Sequence, residues 1–249
     1  MGQFENKVVI ITGAASGIGR ATAIAFALEG AKVVVSDMKE EEGIKTVKLI
    51  EEKKGSATFI KCDVSSDDEV KNLIAKTVEK FGGLDFAFNN AGIEGVVSPT
   101  TDCSFENWNR TIDINLKGVW LCMKYQIPAM IKNGNGSIVN CSSIAGLVGF
   151  EGSPAYVASK HGVIGLTQTA ALENAKKKIR INAVCPGPIE TSMLERLGKE
   201  TIQALATQTP MGRLGVPHEI ADAVIWLCSE KSSYITGQSI TIDGGWVAH

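Results

Sequence analysis

A phenol and an amine stand four residues apart in the segment Tyr156-Val-Ala-Ser-Lys160. In a helix this spacing places both side chains on one face, where they can approach each other and a shared ligand. Ser143 lies thirteen residues before the tyrosine, just after a predicted strand, at the edge where open α/β sheets bind ligands. Tyr-x-x-x-Lys alone is a weak pattern, but the added serine makes the three residues a candidate proton-transfer site.

Oxidation of a secondary alcohol is a reaction that suits these residue types. The hydroxyl proton must leave as hydride leaves carbon, yet a free tyrosine has a pKa of about 10 and is seldom a base at neutral pH. A cation at about 4 Å, at an effective dielectric of about 20, contributes roughly 4 kcal/mol, and one pKa unit corresponds to about 1.4 kcal/mol. A neighbouring lysine therefore supplies what such a phenol requires, and a serine can donate a hydrogen bond to the substrate oxygen.

A glycine-rich turn near the N-terminus predicts a site for the second reactant. Residues 7–19 read Lys-Val-Val-Ile-Ile-Thr-Gly-Ala-Ala-Ser-Gly-Ile-Gly and lead into a helical pattern. Gly13 can turn the chain sharply, Gly17 allows close backbone approach to a ligand, and Gly19 allows tight packing of helix on strand. The unpaired amides at the helix N-terminus favour a dinucleotide pyrophosphate. Such turns also occur for structural reasons alone, and the spacing Gly-x-x-x-Gly-x-Gly departs from the commoner Gly-x-Gly-x-x-Gly fingerprint.

Asp37 indicates which dinucleotide is bound. It follows the predicted strand 32–36, about 20 residues beyond the glycines, where a carboxylate accepts hydrogen bonds from the adenosine ribose hydroxyls and repels a 2′-phosphate. The position therefore favours NAD over NADP, although Lys39 could moderate that preference. In the alternative interpretation, Asp37 merely ends a strand.

Composition excludes several classes of partner. The 249 residues include 25 basic and 27 acidic side chains, interspersed, with a formal charge of -2, so neither nucleic acid nor an anionic membrane is an expected partner. Six cysteines form no close pairs and the three histidines show no ligand spacing, which argues against a metal site and favours a reducing, cytoplasmic location. The N-terminus has no signal-peptide pattern, and no apolar run approaches about 18 residues.

Strand and helix patterns alternate along the chain and predict one α/β domain. This alternation, with right-handed crossovers, predicts a Rossmann-type, doubly wound, mainly parallel sheet with helices on both faces. The polar segment 188–215 lacks strand character and is interpreted as a substrate lid, partly helical. The predicted strands are 8–11, 32–36, 57–62, 84–88, 137–141, 180–184 and 239–242, and the predicted helices are 20–29, 40–53, 67–81, 105–132, 155–175 and 217–228.

From Lys7 to Gly245 the chain resembles the short-chain dehydrogenase/reductase family. The resemblance is carried by the glycine turn, by Ser143, Tyr156 and Lys160 in the expected order and spacing, and by Asn115 in Asp113-Ile-Asn115. It implies seven strands and a homotetramer built by helix pairing around 105–132 and 155–175 and by the last strand. It also implies four catalytic residues, Asn115, Ser143, Tyr156 and Lys160. Asn115 would hold a water that links Lys160 to solvent; in the alternative interpretation it marks only a local helix irregularity.

The resemblance also implies a set of NAD-binding residues. The glycine turn would hold the pyrophosphate, Asp63 and Val64 would meet the adenine, and the segment after the sixth strand would orient the nicotinamide carboxamide. Tyr156 and Lys160 would contribute to both the cofactor site and the catalytic site. The full cofactor-binding set is Gly13, Ser16, Gly17, Ile18, Gly19, Asp37, Asp63, Val64, Asn90, Ala91, Gly92, Tyr156, Lys160, Pro186, Gly187, Ile189 and Thr191.

Three functions remain open at the level of the sequence. The leading one is an NAD-dependent oxidoreductase that interconverts a small-molecule secondary alcohol and its ketone. The second is a 3-oxoacyl-[acyl-carrier-protein] reductase, which would normally use NADPH and would require a basic surface for its protein partner. The third is a dinucleotide-binding sensor or scaffold without turnover. The substrate pocket would be lined by residues 94–98, by residues 145–154 and by the lid. An apolar or cyclic substrate, such as a diol, sugar or steroid-like alcohol, is suggested by the apolar residues Leu147, Val148, Phe150, Met193 and Leu194.

Overall fold

The computed structural model describes residues 2–192, 194 and 198–248. A run of β-branched residues begins the sheet, and all five residues of Val8–Thr12 (β1) are buried because helices cover both faces of the strand. The remaining strands are Lys32–Asp37 (β2), Ser56–Lys61 (β3), Phe86–Asn89 (β4), Gly136–Cys141 (β5), Ile179–Pro186 (β6) and Ser239–Ile242 (β7). The helices are Gly17–Leu28 (α1), Glu40–Glu52 (α2), Asp67–Phe81 (α3), Phe105–Ile112 (α4), Gly118–Asn133 (α5), Pro154–Asn174 (α6), Lys199–Gln208 (α7) and Pro217–Cys228 (α8).

The seven strands form one sheet in the order β3-β2-β1-β4-β5-β6-β7, and every pairing between them is parallel. One face of the sheet is covered by helices α3, α5 and α6, and the other by α1, α2 and α8. Each face has its own apolar core. The predicted doubly wound fold is therefore confirmed. The strand order reverses between β1 and β4, so the crevice in which such sheets bind ligands opens there.

The predicted helix 105–132 has an internal irregularity. The chain is helical from Phe105 to Asn133, but Asp113–Lys117 form a π turn between α4 and α5. A π turn inserts one extra residue into the helical ladder, and such turns are frequent at functional sites. The apolar residues on either side continue to fit a helix, so the sequence signal is limited to Asn115, a residue type that is mildly unfavourable inside a helix.

The segment 188–215 is anchored at both of its ends. Gly215 donates from its amide to the Pro188 carbonyl (3.0 Å), and its own carbonyl accepts from the Glu190 amide (2.9 Å). Next to this junction Arg213 pairs with Glu219 at 2.7 Å, and this contact, together with a hydrogen bond from the Val216 amide, lowers the pKa of Glu219 to about 2. Helix α7 lies within the segment, which is the partly helical character expected of it.

A buried polar network ties the carboxyl ends of β4 and β5 to the helices above them. Asn89 donates to Asn140 (2.9 Å) and exchanges two hydrogen bonds with Gln126 (2.8 and 3.0 Å), and Asn140 donates to Thr167 (2.9 Å). All four side chains are buried. Because these groups satisfy one another, the network fixes the positions of the loops that follow the two strands.

We predict that Asn140→Leu lowers the free energy of unfolding by about 1 to 3 kcal/mol, because the substitution removes the acceptor of one buried Asn89 N–H and the donor to the buried Thr167 hydroxyl. Urea titrations followed by circular dichroism at one protein concentration measure the change. Asn135→Leu, at an exposed loop position just before β5, is the matched control and should have little effect. Equal stabilities of the two variants would contradict the role given to the network.

Candidate active site

Loops from four neighbouring strands meet at one edge of the sheet, since the carboxyl ends of parallel strands lie together. Gly13 follows β1, Asn90 follows β4, Ser143 lies just after β5 and Gly187 follows β6. Nearly every residue predicted for the site belongs to one of these loops, to the end of β2, β3 or β6, to the first turn of α1, or to helix α6. The fold therefore brings to one edge groups that are widely separated in sequence.

The glycine turn after β1 is defined sterically. Gly13 and Gly17 have φ angles of 65° and 51°, a region that favours glycine. A Cβ on Gly13 would lie 2.9 Å from the Ala91 Cα, and a Cβ on Gly19 would overlap the Gly13 carbonyl oxygen. The turn thus requires glycine at 13 and 19 because of its packing, as well as at 17 because of its backbone conformation.

Helix α1 presents an N-terminus that fits an anion. Ser16 precedes the helix without making a side-chain cap, and the first turn contains no acidic residue. The Arg20 amide bonds the Ser16 carbonyl at 3.1 Å, so the amides of Gly17, Ile18 and Gly19 precede the first bonded turn. These amides and the positive end of the helix dipole suit a pyrophosphate.

Side chains that the sequence analysis did not select hold the turn from the α2 side. Thr46 donates to the Ala14 carbonyl at 3.0 Å, and Arg20 donates to the Ala15 carbonyl. Arg20 also pairs with Glu42 at 3.1 Å. Lys45 and then Arg20 lower the pKa of Glu42. The sequence signal for this set is an arginine directly after Gly19, but its side-chain partners Glu42 and Thr46 lie 22 and 26 residues away.

Asp37 lies beside the glycine turn, as predicted from its place at the end of β2. One carboxylate oxygen accepts from the Ala15 amide at 3.0 Å, and the other accepts from the Lys39 amide at 2.9 Å. Each oxygen keeps a further acceptor position, because an ionised carboxylate offers about four. The side chain can therefore accept from a ligand while it remains bound to the turn.

The residues at the end of β3 have local partners. The Asp63 carboxylate accepts from the amide and the hydroxyl of Ser65 at 2.9 and 2.7 Å. Val64 is buried and packs against Gly118, where a Cβ would lie 2.8 Å from a Val64 methyl group. These contacts fix the turn at the sheet edge, and an adenine contact by Asp63 and Val64 stays a prediction.

Asn90 connects the glycine turn to β4. Its side-chain amide donates to the carbonyls of Thr12 (3.0 Å) and Gly13 (3.2 Å), while the Thr12 hydroxyl accepts from the amides of Asn90 (3.0 Å) and Ala91 (3.1 Å). Thr12 was missed by the sequence analysis as a site residue, although it directly precedes the first glycine. Its hydroxyl joins the ends of the two strands on either side of the crevice.

Gly92 links this junction to the candidate catalytic residues. A Cβ placed on it would lie 3.1 Å from the Asn115 side-chain oxygen and 3.7 Å from Lys160 Nζ. The loop after β4 therefore contacts the glycine turn on one side and Asn115 and Lys160 on the other. The structure thus brings these predicted cofactor and catalytic groups together.

Lys160 is buried beneath the site. Its amine donates to the Cys141 carbonyl at 2.8 Å, at the end of β5, and lies 5.5 Å from the centroid of the Tyr156 ring. No carboxylate among the described residues pairs with this amine. The Ser142 hydroxyl donates to the Lys160 carbonyl at 2.8 Å and so holds helix α6 against the end of β5.

Ser143 and Tyr156 are both partly exposed, as groups that act on a ligand must be. The Ser143 oxygen accepts from the Ala145 amide at 3.1 Å. That contact uses the serine oxygen as an acceptor and leaves its own hydrogen available for donation. The serine is thus oriented by a local turn and can donate to a substrate.

Asn115 lies in the π turn and holds the loop after β4. Its side-chain oxygen accepts from the Ile93 amide, and its nitrogen donates to the Ile93 carbonyl, both at 2.8 Å. The nitrogen also donates to Ser159 (3.2 Å), which in turn donates to the Tyr156 carbonyl (2.7 Å). The helix irregularity therefore exists, and the asparagine has partners beyond it. That Asn115 holds a water stays a prediction. Both N–H groups of its side chain already donate to protein partners, so such a water would have to donate a hydrogen bond to an oxygen of Asn115.

The segment after β6 lies over the glycine turn. The Gly187 amide donates to the Ile242 carbonyl at 3.0 Å, which continues the β6–β7 ladder past Pro186. Ile189 is buried and bridges to Gly215. A Cβ on Gly17 would lie 3.1 Å from the Thr191 methyl group, so Thr191 reaches the turn. Met193, one of the expected pocket residues, lies outside the described residues, whereas Leu194 is described and partly buried.

None of the helices in the described part of the chain has the length and apolar character needed to cross a membrane.

All six cysteines carry free thiols, and burial raises the pKa of Cys62 to about 12 and that of Cys185 to about 11. Within the same residues no group of three or more His, Cys, Asp or Glu side chains is arranged to hold a metal ion.

Comparison with known proteins gives matches over nearly the whole chain. A family model described as enoyl-(acyl carrier protein) reductase matches residues 13–247. Cyclohexanol dehydrogenase of Acinetobacter sp. (strain SE19) is 44% identical over 246 residues, which cover 99% of this chain and 97% of the relative. A 3-oxoacyl-[acyl-carrier-protein] reductase of Thermotoga maritima is 44% identical over 250 residues, covering 98% and 99%. The crystal structure of levodione reductase matches with a TM-score of 0.96 at 36% identity, covering 98% of this chain and 99% of that one.

We predict that Gly19→Ala lowers the free energy of unfolding by about 1 to 3 kcal/mol, because its Cβ would overlap the Gly13 carbonyl. Gly149→Ala is the matched control, since that glycine is exposed and has open space around it. Alanine there should change the free energy of unfolding by less than about 0.5 kcal/mol. Urea titrations of the two variants at equal concentration test the pair, and stabilisation by Gly19→Ala would contradict the packing described for the turn.

Proposed function

The chain belongs to the short-chain dehydrogenase/reductase family, and we propose that within it the protein is an NAD-dependent dehydrogenase interconverting a cyclic secondary alcohol and its ketone. One observation carries this proposal. Lys160 lies against the Tyr156 ring and close to Gly92, in the loop whose Asn90 binds the glycine turn. A proton-transfer pair and an anion-binding helix N-terminus therefore share one crevice.

In this proposal each residue has one chemical task. Tyr156 takes the proton from the substrate hydroxyl at its phenolic oxygen, and Ser143 donates a hydrogen bond to that same substrate oxygen. The Lys160 amine, fixed on the Cys141 carbonyl, keeps donors for a cofactor hydroxyl and places a positive charge 5.5 Å from the centroid of the Tyr156 ring. Asn115 holds the Ile93 loop and the helix that carries Tyr156. NAD, when bound, supplies the acceptor for the hydride that leaves carbon.

The preference for NAD over NADP is supported by charge around Asp37. Its carboxylate faces the glycine turn and keeps free acceptor positions, which suit ribose hydroxyls. Helix α2 begins directly beyond it with Glu40, Glu41 and Glu42, so the ribose side of the crevice carries negative charge. The nearest cation of the turn, Arg20, is already paired with Glu42. A 2′-phosphate would meet the repulsion of these carboxylates, and Lys39, which makes no ion pair among the described residues, is the cation that opposes this repulsion.

A cyclic alcohol is the substrate class that the surroundings support best. Val96, Val97, Leu147 and Val148 are exposed apolar residues in the loops expected to border the pocket. Exposed apolar side chains grouped at a crevice are typical of a binding site for an apolar ligand. The relative that acts on cyclohexanol supports the same class. We further propose that segment 188–215, anchored at both ends, is the lid of this pocket.

A 3-oxoacyl-[acyl-carrier-protein] reductase is the second candidate, because a relative with that function is 44% identical over nearly the whole chain. The acidic surroundings of Asp37 and the formal charge of -2 argue against it, since that activity would want NADPH and a basic docking surface. Assays with NADPH and an acetoacetyl thioester would detect it. A sensor or scaffold without turnover, the third candidate, predicts dinucleotide binding but no oxidation of any alcohol.

We also propose that the protein is a cytoplasmic homotetramer. Large apolar side chains on α4, α5 and α6 are exposed in the single chain, with Phe105 88%, Trp120 46% and Leu172 84% accessible. Such residues support burial against further copies of the chain, and the molar mass in solution tests this. The six free thiols support a reducing compartment.

Tyr156→Phe should reduce kcat for oxidation of a cyclic alcohol by at least about a hundredfold, because the proton acceptor is lost. Formation of NADH with a panel of cyclic and linear secondary alcohols measures the rate, and fluorescence titration measures the affinity for NAD, which should change by less than about threefold. Tyr234→Phe, at a fully exposed position, is the control. Near-normal turnover by Tyr156→Phe would overturn the assignment of the base.

Asp37→Ser should raise kcat/KM for NADP relative to that for NAD. The expected change corresponds to about 1 to 3 kcal/mol in transition-state free energy, which is the range for a hydrogen bond to a charged group. Asp68→Ser, on the exposed first turn of α3, removes the same charge elsewhere and should leave the ratio nearly unchanged. If the two variants behave alike, Asp37 does not contact the ribose.

A further inference from the structure

Three polar residues at four-residue intervals on α4 and the π turn contact the loop 93–98. The Asn107 side chain accepts from the Val96 amide at 2.8 Å and donates to the Val96 carbonyl at 3.0 Å. Asn115 binds Ile93 in the same paired manner. Between them Thr111 lies beneath Gly95, where a Cβ would come within 2.7 Å of the threonine hydroxyl. One helix edge therefore holds the loop by hydrogen bonds at Ile93 and Val96, and Thr111 contacts the loop between them.

The loop 93–98 needs these contacts because it has no regular secondary structure. Its backbone amides and carbonyls must find partners among side chains or water. Two hydrogen bonds from one asparagine to one residue fix both the position and the rotation of that residue. Val96 is held in this way, so the direction of its side chain, 67% exposed, is set by Asn107.

The far end of the loop meets the segment that joins Ser143 to Tyr156. The Ser98 amide donates to the Gly152 carbonyl at 2.8 Å. Gly152 has a φ angle of 74°, and a Cβ there would lie 2.9 Å from a Val97 methyl group. Since Gly152 lies four residues before Tyr156, the valines of the loop are placed beside the site.

Asn107 differs from Asn115 in what else it touches. Asn115 also bonds Ser159 and through it the catalytic helix, so its loss would disturb the proton-transfer residues. The other contacts of Asn107 are local, with Cys103 Sγ at 3.5 Å and, through its amide, with the Ser104 hydroxyl at 3.2 Å. Removal of the Asn107 side chain therefore acts on the loop and spares the chemistry.

We propose that Asn107 is a positioning residue for the substrate: it holds Val96 and Val97 at the pocket and thereby sets the discrimination between cyclic and small linear alcohols. The proposal rests on the proposed dehydrogenase function. The two hydrogen bonds of the Asn107 side chain affect the shape of the pocket and not the chemical step. Loss of these bonds should therefore change KM and substrate preference rather than kcat.

The test compares Asn107→Ala and Asn107→Asp with Asn109→Ala, which removes an exposed asparagine from the same helix. For Asn107→Ala, KM for cyclohexanol should rise about tenfold, the scale of two lost hydrogen bonds, and the preference over 2-propanol should shrink. The values of kcat and NAD affinity should stay within about threefold of wild type. Asn107→Asp keeps the acceptor for the Val96 amide, so its KM should rise less.

A second measurement does not depend on turnover. Hydrogen–deuterium exchange of the peptide containing residues 93–98 should be faster in Asn107→Ala and unchanged in Asn109→Ala, because only the first variant frees the Val96 amide. Unchanged exchange and unchanged KM would overturn the proposal, as would a parallel loss of kcat and thermal stability. If the wild-type protein oxidises no cyclic alcohol, the proposed function is rejected. Faster exchange of residues 93–98 in Asn107→Ala would in that case still support the role of Asn107 in holding the loop.

Discussion

The hydrogen bond from the buried Lys160 amine to the Cys141 carbonyl is the contact on which the arrangement of the site depends. A buried amine requires an acceptor, and this one uses a main-chain carbonyl at the end of a central strand. Because Tyr156 lies one helical turn before Lys160, fixing the amine also fixes the approach of the tyrosine ring to the end of β5. Ser142 strengthens the same junction from the strand side.

A second constraint joins the two halves of the crevice. The strand order reverses between β1 and β4, and the loops that leave these strands would separate unless something held them together. Thr12 and Asn90 supply that link with four hydrogen bonds, while Gly92 allows Asn115 and Lys160 to approach from the other side. The absence of a Cβ at Gly92 thus matters as much as the polar side chains around it.

Central and peripheral parts of the site rest on different kinds of contact. The glycine turn and the ends of β4 and β5 are supported by buried networks in which each polar group has a partner within the core. The loop 93–98 is held instead by side chains of a single helix edge, and segment 188–215 by contacts at its two ends. The first arrangement fixes the ends of the central strands from within the core, whereas the second attaches the peripheral segments to the core at a few points.

The sequence by itself determined the fold class, the glycine turn, Asp37 at the end of β2 and the spacing of Tyr156 and Lys160, because each depends on local periodicity or on a short motif. Tertiary structure decided which side chains hold these motifs in place. Thr12 with Asn90, Thr46 with Ala14 and Asn107 with Val96 are pairs separated by 78, 32 and 11 residues. The helix irregularity suggested by Asn115 is a π turn at Asp113–Lys117, whereas the loop that Asn115 binds is known only from the fold. Partners of this kind follow from strand order, register and burial, which exist only once the chain has folded.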